Sequence, residues 1–326
     1  MNVWRHICQS VTKWLLHPWR TNRHRRSPNS SMLPHILPLL QLSALFLPAY
    51  GHRGPPAWYT RNKNTIQTIY NLTIYPANAV IITQGAAAVP PGLFATNATG
   101  RVAPVGEFDG FQDSIEYFWG LAPLPNTGGV IVSATLQEFT SGCPEVAAST
   151  VYLRINSVND DGSDAGFLTT LKQTAFWNFD STGAVQRYDA FIPNLDPLAS
   201  LTHGFGDNVD AGVGLFSPAG MAKLIGAVCE AQAQTCVGPD QVYSDANDCI
   251  ATLSAKPFGR FDEAWGDNVA CRSIHVLLTS IRPDVHCAHV GPTGGGKCIQ
   301  KHYTTDYFDD TQLFGPKKVF SCETYW

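Results

Sequence analysis

LKQTAFWNFDSTGAVQRYDAFIPN, residues 171–194, is the stretch on which the fold turns. Apolar residues alternate with polar ones from Leu171 to Phe179 and again from Val185 to Ile192. Asp180-Ser-Thr-Gly183 stands between the two runs, so the stretch reads as two antiparallel strands joined by a tight turn. The same period of two extends upstream, through Val130, Val132, Ala134 and Leu136, and then from Val146 to Ile155. By alternation Phe176 and Trp177 face opposite sides, and Arg187 and Asp189 share a face that Tyr188 does not.

Ahead of these strands the period is helical. Ile66, Ile69, Tyr70, Thr73 and Ile74 recur at three- and four-residue spacing after a short leader at 52–60, and Pro76 marks a break. A Gly/Ala/Pro stretch at 85–92 precedes a turn-rich segment with Arg101, Pro104, Gly106 and Phe108. Asp109 is positioned to cap a second helix carrying Ile115, Tyr117, Phe118 and Trp119, which ends before Pro123. Helices followed by a run of antiparallel strands give an α+β layout, with the sheet bent around the first helix into a cone with a cavity.

This order of elements resembles the SnoaL-like, or nuclear-transport-factor-2-like, family over residues 62–200. Pro104-Val-Gly-Glu-Phe-Asp-Gly110 matches the P-x-G-x-x-x-G turn that leads into the family's helix. Trp177-Asn-Phe-Asp-Ser-Thr-Gly183 followed by Arg187-Tyr-Asp189 matches its closing hairpin. The resemblance implies a cone-shaped cavity, a fold that commonly forms homodimers, and a range of activities from dehydratase, isomerase and cyclase to pure binding. The His–Asp dyad of the family's dehydratase-like members is missing, because no histidine occurs between 62 and 200.

Residues 201–326 form a cysteine-rich region with candidate helices at Pro218–Ala233, Asp245–Ala255 and Asp267–Ile281, the last ended by Pro283. Residues 284–326 show little periodicity, so their order must come from disulfides rather than from a core. The run from Ala264 to Cys298 resembles the tails of secreted fungal proteins that couple a SnoaL-like domain to a cysteine-rich end.

The N-terminus sets the compartment. Residues 1–31 hold six basic residues and no acid, and read as an extension ahead of the real start at Met32. From Met32 an apolar run (Ile36 to Pro48) is followed by Ala49 and Gly51 at signal-peptidase spacing, so 32–51 reads as a signal peptide. Anchoring by residues 36–48 is the weaker alternative, since a membrane span needs about 20 apolar residues. The whole chain has 22 basic and 26 acidic residues. Without 1–51 it stands at −10, which disfavours nucleic acid and anionic membranes as partners. Setting aside Cys8 leaves an even set: Cys143, Cys229, Cys236, Cys249, Cys271, Cys287, Cys298 and Cys322. A secreted chain with eight cysteines reads as four disulfides, and Cys298 is expected to close a loop with Cys287. Asn71-Leu-Thr and Asn97-Ala-Thr are glycosylation sequons.

Gly291-Pro-Thr-Gly-Gly-Gly-Lys297 fits the core of a phosphate-binding loop, but Cys298 stands where a Ser or Thr must bind Mg²⁺. Nucleotide binding is therefore not expected, and no cofactor is implied. His275, His286 and His289, with Cys271 one helical turn from His275, have spacings that could chelate zinc or copper. Tyr117, Trp119, Trp177 and Tyr188 are the expected ligand-facing aromatics. Asp109, Glu116 and Asp189 are the carboxylates that could serve as a base. No G-x-S-x-G, H-E-x-x-H or C-x-x-C is present. The sequence thus reads as a secreted binder of a small apolar molecule or a partner chain, ahead of a SnoaL-like isomerase, cyclase or dehydratase and of a metal-binding protein.

Overall fold

Strands β3 (Val130–Cys143), β4 (Val146–Val158), β5 (Asp164–Phe179) and β6 (Val185–Phe191) follow the alternation of the sequence and pair antiparallel in that order. These and the elements below come from a computed structural model that describes residues 54–159 and 161–322. The expected extension 1–31, the signal peptide 32–51 and Cys8 lie outside the described residues. The turn between β5 and β6 is fixed by Asp180, whose carboxylate accepts hydrogen bonds from the backbone N–H of Thr182, Gly183 and Ala184 at 2.8, 3.0 and 3.1 Å.

The segment expected to be turn-rich is instead a pair of strands, β1 (Phe94–Ala103) and β2 (Gly106–Asp109). Their Gly, Asn and Pro content hides the extended run, yet β1 is the third strand from the hairpin's far edge. The sheet order is β2-β1-β6-β5-β4-β3, and β1 joins β6 in parallel, the one exception to the antiparallel arrangement. Gly100 lies directly across from Tyr188, and a Cβ there would sit 2.2 Å from the Tyr188 ring. Only glycine admits that ring.

Helix α1 (Ala57–Asn71) starts five residues before the expected Asn62 and absorbs part of the leader, because Pro55-Pro56 end just ahead of its first turn. Its buried face, Ile66, Ile69 and Tyr70, meets the concave side of the sheet. After α2 (Ala77–Gln84) and the β1–β2 hairpin comes α3 (Gly110–Ile115), which widens into one π-helical turn at Glu116–Gly120. Asp109 precedes α3 without capping it. Its carboxylate accepts from Thr99 Oγ1 at 3.0 Å instead.

The C-terminal helices are α4 (Leu195–Thr202), α5 (Pro218–Thr235), α6 (Ala246–Ser254), α7 (Val269–His275), α8 (Pro283–Val290) and α9 (Asp310–Phe314). Ser217, Asp245 and Asn268 accept from first-turn amides of α5, α6 and α7, and α7 starts after the expected Asp267 and ends at His275 rather than Ile281. Helix α8 lies where little periodicity was expected, since its buried residues are His286, Cys287 and His289 with a single aliphatic, Val290.

The eight described cysteines form four disulfides: Cys143–Cys322, Cys229–Cys249, Cys236–Cys287 and Cys271–Cys298. The expected Cys287–Cys298 link is not made. Those two cysteines flank a Gly-rich turn and are taken by α5 and α7 instead, because the turn folds back so that Cys298 meets α7. The described residues pack as one compact unit.

Candidate functional site

The π turn divides two environments. Tyr117, Phe118 and Gly120 border a cavity of about 660 Å³, while Glu116 points to the C-terminal helices. The sheet contributes Ile131, Leu153, Ile155 and Leu171 to the cavity wall, and α5 contributes Leu224 and Val228. Volumes of roughly 300–1,000 Å³ suit small organic ligands.

Few polar groups interrupt this apolar lining. Gln173 Nε2 donates to the Tyr117 hydroxyl at 2.8 Å. Tyr70 also borders the cavity, and its hydroxyl is buried without a hydrogen-bond partner. Burial pushes the pKa of both phenols up, so both stay protonated and able to donate. At the mouth His203, an exposed residue, places its ring Nδ1 2.7 Å from the Ala199 carbonyl. A carbonyl oxygen only accepts, so Nδ1 carries the hydrogen and Nε2 keeps a lone pair. The residue keeps contact with solvent, but the chain packed around its ring outweighs the Ala199 bond and lowers its pKa, which favours the neutral imidazole at pH 7.

The other expected site residues scatter. Tyr117 reaches the cavity, but Trp119, Trp177 and Tyr188 are fully buried in the core, with polar atoms bonded to Ile69 O, Ser149 Oγ and Ser114 Oγ. Asp109 is exposed at the start of α3. Asp189 does not pair with Arg187. It receives a two-pronged bond from buried Arg101, at 3.0 and 2.6 Å, and Arg101 also reaches Asp310 at 2.9 Å. Asp310, itself largely exposed, thereby ties the tail to the sheet. Asp262 likewise accepts from the Leu195 N–H at 2.6 Å, at the start of α4.

Glu116 has the richest surroundings of the three carboxylates. It is 3% exposed and accepts from Arg282 Nη2 at 2.7 Å, from Gln112 Nε2 at 2.9 Å, and meets His286 Nε2 at 2.8 Å. Burial raises its pKa, but the bonds from His286 and Gln112 outweigh that and hold it below the usual carboxylate value. A histidine–carboxylate pair thus exists, assembled from residues 170 positions apart. Reading 62–200 alone misses it, because the histidine comes from α8. It does not touch the cavity: Gly120 and Ile281 stand between Glu116 and the larger space.

His275, His286 and His289 converge on the far side of Glu116, each buried and each offering a ring nitrogen within 4.8 Å of the others. Burial lowers the pKa of His275, and that of His289 to about 4. Cys271 and Cys298 adjoin His275, but their sulfurs are joined to each other. Lys297 of the phosphate-loop look-alike donates to the Glu107 carbonyl at 2.8 Å, and the preceding element is α8 rather than a strand.

Residues 218–301 match the BfoA family C-terminal domain. The segment holds α5–α8 and the histidine cluster. The chain is also similar to the Aurasperone B biosynthesis cluster protein A of Aspergillus niger, 26% identical over 259 residues, which cover 76% of this chain and 82% of that one. The Bifonsecin B biosynthesis cluster protein A of Aspergillus brasiliensis is 26% identical over 258 residues, covering 76% and 84%. Among solved structures, a putative SnoaL-like polyketide cyclase from Jannaschia overlays with a TM-score of 0.32 and 10% identity, over 46% of this chain and 97% of that one. A putative polyketide cyclase from Xanthomonas campestris gives 0.31 and 12%, over 45% and 99%.

Proposed function

We propose that this protein binds a small, flat, mainly apolar ring compound bearing a carbonyl or hydroxyl oxygen. The 660 Å³ cavity, bordered by Tyr70 with its unpartnered buried hydroxyl, carries the reading. A buried phenol left without an acceptor costs about 1–3 kcal/mol, and a ligand oxygen would recover it. Tyr117 and Phe118 offer ring faces for stacking. The two Aspergillus relatives, each named for a biosynthesis cluster, are further support, since the intermediates of such clusters are small molecules. Titration with 1-naphthol and with naphthalene tests it. The protein is expected to prefer 1-naphthol by about tenfold, Tyr70→Phe to lose that preference, and Leu153→Trp to lose both ligands. Equal binding by the wild-type protein and Leu153→Trp would sink the idea.

His203 favours a second reading, proton transfer on the bound ligand in an isomerase-, cyclase- or dehydratase-like reaction, because its neutral ring keeps a free Nε2 at the cavity mouth. Deuterium uptake from D₂O at the acidic C–H of 2-tetralone, followed by NMR, is expected to be accelerated by the protein and not by His203→Ala. No acceleration by the wild-type protein removes the reading. We also read the chain as secreted and glycosylated. Asn71 and Asn97 are exposed, and four disulfides are consistent with an extracellular address. Intact mass of culture-medium protein, before and after glycan removal, is expected to show cleavage after Gly51 and two glycans. Retention in the membrane fraction would overturn the address.

A further inference from the structure

We infer that His275, His286 and His289 form a zinc site that ties α7 and α8 together behind the cone. The three imidazoles come from two helices that meet at this point, and all three are buried. His286 Nδ1 and His289 Nδ1 lie 3.2 Å apart. Two nitrogens held by one zinc at 2.0–2.1 Å and tetrahedral angles stand about 3.3–3.4 Å apart. The pair is thus already at ligand spacing, closer to a tetrahedral edge than to the roughly 2.9 Å edge of a square-planar copper site.

The third ring supplies the independent sign. His275 Nδ1 is buried without any hydrogen-bond partner, 6% of the residue being exposed. A metal bound at this nitrogen would satisfy it, and each of the three rings has a nitrogen within 4.8 Å of the other two. Glu116 completes the arrangement from the cone. Its carboxylate holds His286 Nε2 at 2.8 Å, which requires the hydrogen on Nε2 and leaves the Nδ1 lone pair for the metal. A metal-bound histidine usually has its other nitrogen fixed by just such a carboxylate or carbonyl.

The cations that face the cluster are each engaged with a carboxylate: Arg282 with Glu116 and Asp113, Lys297 with Asp113, and Arg272, which acts on His275, with Asp267. The disulfide Cys271–Cys298 withholds the nearby thiolates, so the donor set is imidazole alone, which suits zinc. The cluster does not line the cavity, so the metal acts as a cross-link between the C-terminal helices and, through Glu116, the cone.

The test uses tag-free, full-length oxidised protein stripped with chelator and titrated with zinc chloride, or with copper(II) chloride in a separate series. One equivalent of zinc is expected to bind and to raise the melting temperature. His275→Gln/His289→Gln should take up less than about a fifth of an equivalent, His302→Gln should bind as the wild type does, and Glu116→Gln should bind about 10–100-fold more weakly. Should the double variant fail to fold, the wild-type imidazole ¹⁵N resonances decide. Zinc should shift Nδ1 of His286 and His289 and leave Nε2 of His286 protonated. Binding of copper but not zinc, zinc shifts confined to His302, or stoichiometry unchanged in a folded double variant would each overturn the site.

Discussion

The cone and the C-terminal helices are held together by different physics. On the concave side of the sheet the order comes from rings. Tyr70, Phe94, Phe118, Trp119, Trp177 and Tyr188 form a continuous aromatic cluster, and its centroids lie 5.3–6.3 Å apart. Behind it, α6, α7 and α8 are nine, seven and eight residues long, too short to bury much apolar surface. Three disulfides and a set of buried polar groups reinforce the apolar core there, which includes Leu224, Val228, Leu253, Val269 and Val290. Arg272 is the extreme case. It is completely buried, and its guanidinium donates to the carbonyls of Gly291, Asn268 and Pro292 and to Asp267. The contrast teaches that the cone rests chiefly on apolar burial, while the C-terminal helices add covalent and polar ties to their share of the same continuous core.

The contrast is broken most directly from the cone side. Trp177→Ala removes a fully buried indole and should cost about 3–5 kcal/mol, read as a loss of the whole cooperative transition in urea. A loss confined to the C-terminal helices would show that the aromatic cluster is not what supports the molecule. Next in size, Cys271→Ser/Cys298→Ser opens a loop of sequence separation 27 and should cost about 3.5 kcal/mol on chain-entropy grounds. Here hydrogen exchange should accelerate in α7 and α8 while amides of β4 and β5 stay protected. Equal acceleration in the strands would mean that the disulfide supports the sheet as well, and the division fails.

The sequence made the cone legible where a single segment carried its own signal. The β5–β6 hairpin could be read from Asp180-Ser-Thr-Gly183 and its flanking alternation, and α5 and α6 were expected within two residues of their observed bounds. The strand β1 could not, because its glycine exists to admit the Tyr188 ring and its partner is a distant parallel strand. The site was harder still. Glu116, His275, His286 and His289 were each visible as a residue type, but their meeting depends on how α8 docks, a contact across 170 residues with no local trace. Tyr70 passed for an ordinary core residue of a helix, since nothing in its neighbours tells that it borders a cavity with its hydroxyl unpartnered. The disulfide pairing was hidden for the same reason: Cys287 and Cys298 are near in sequence and are tied to different helices.

The smallest effect sharpens the polar side of the contrast. Asp267 bonds Lys256 and Arg272 at 2.9 and 2.8 Å, but it is 37% exposed, so solvent screening keeps the pair to about 1 kcal/mol or less. Burial raises the pKa of Asp267, while the bonds from Lys256 and Arg272 outweigh it and hold the carboxyl below its ordinary value of 3.8. A carboxyl depressed in the folded state contributes stability that is fully present above the unfolded pKa and lost as pH falls through the folded one. Asp267→Asn should therefore be slightly less stable than the wild type at pH 7. The gap should begin to narrow as pH drops below 3.8 and close once the carboxyl is protonated in both states. Urea midpoints measured from pH 7 down to acid unfolding decide it. A gap that stays constant over that range would assign the loss to packing around Arg272, and the C-terminal helices would then depend less on charge than their buried guanidinium implies.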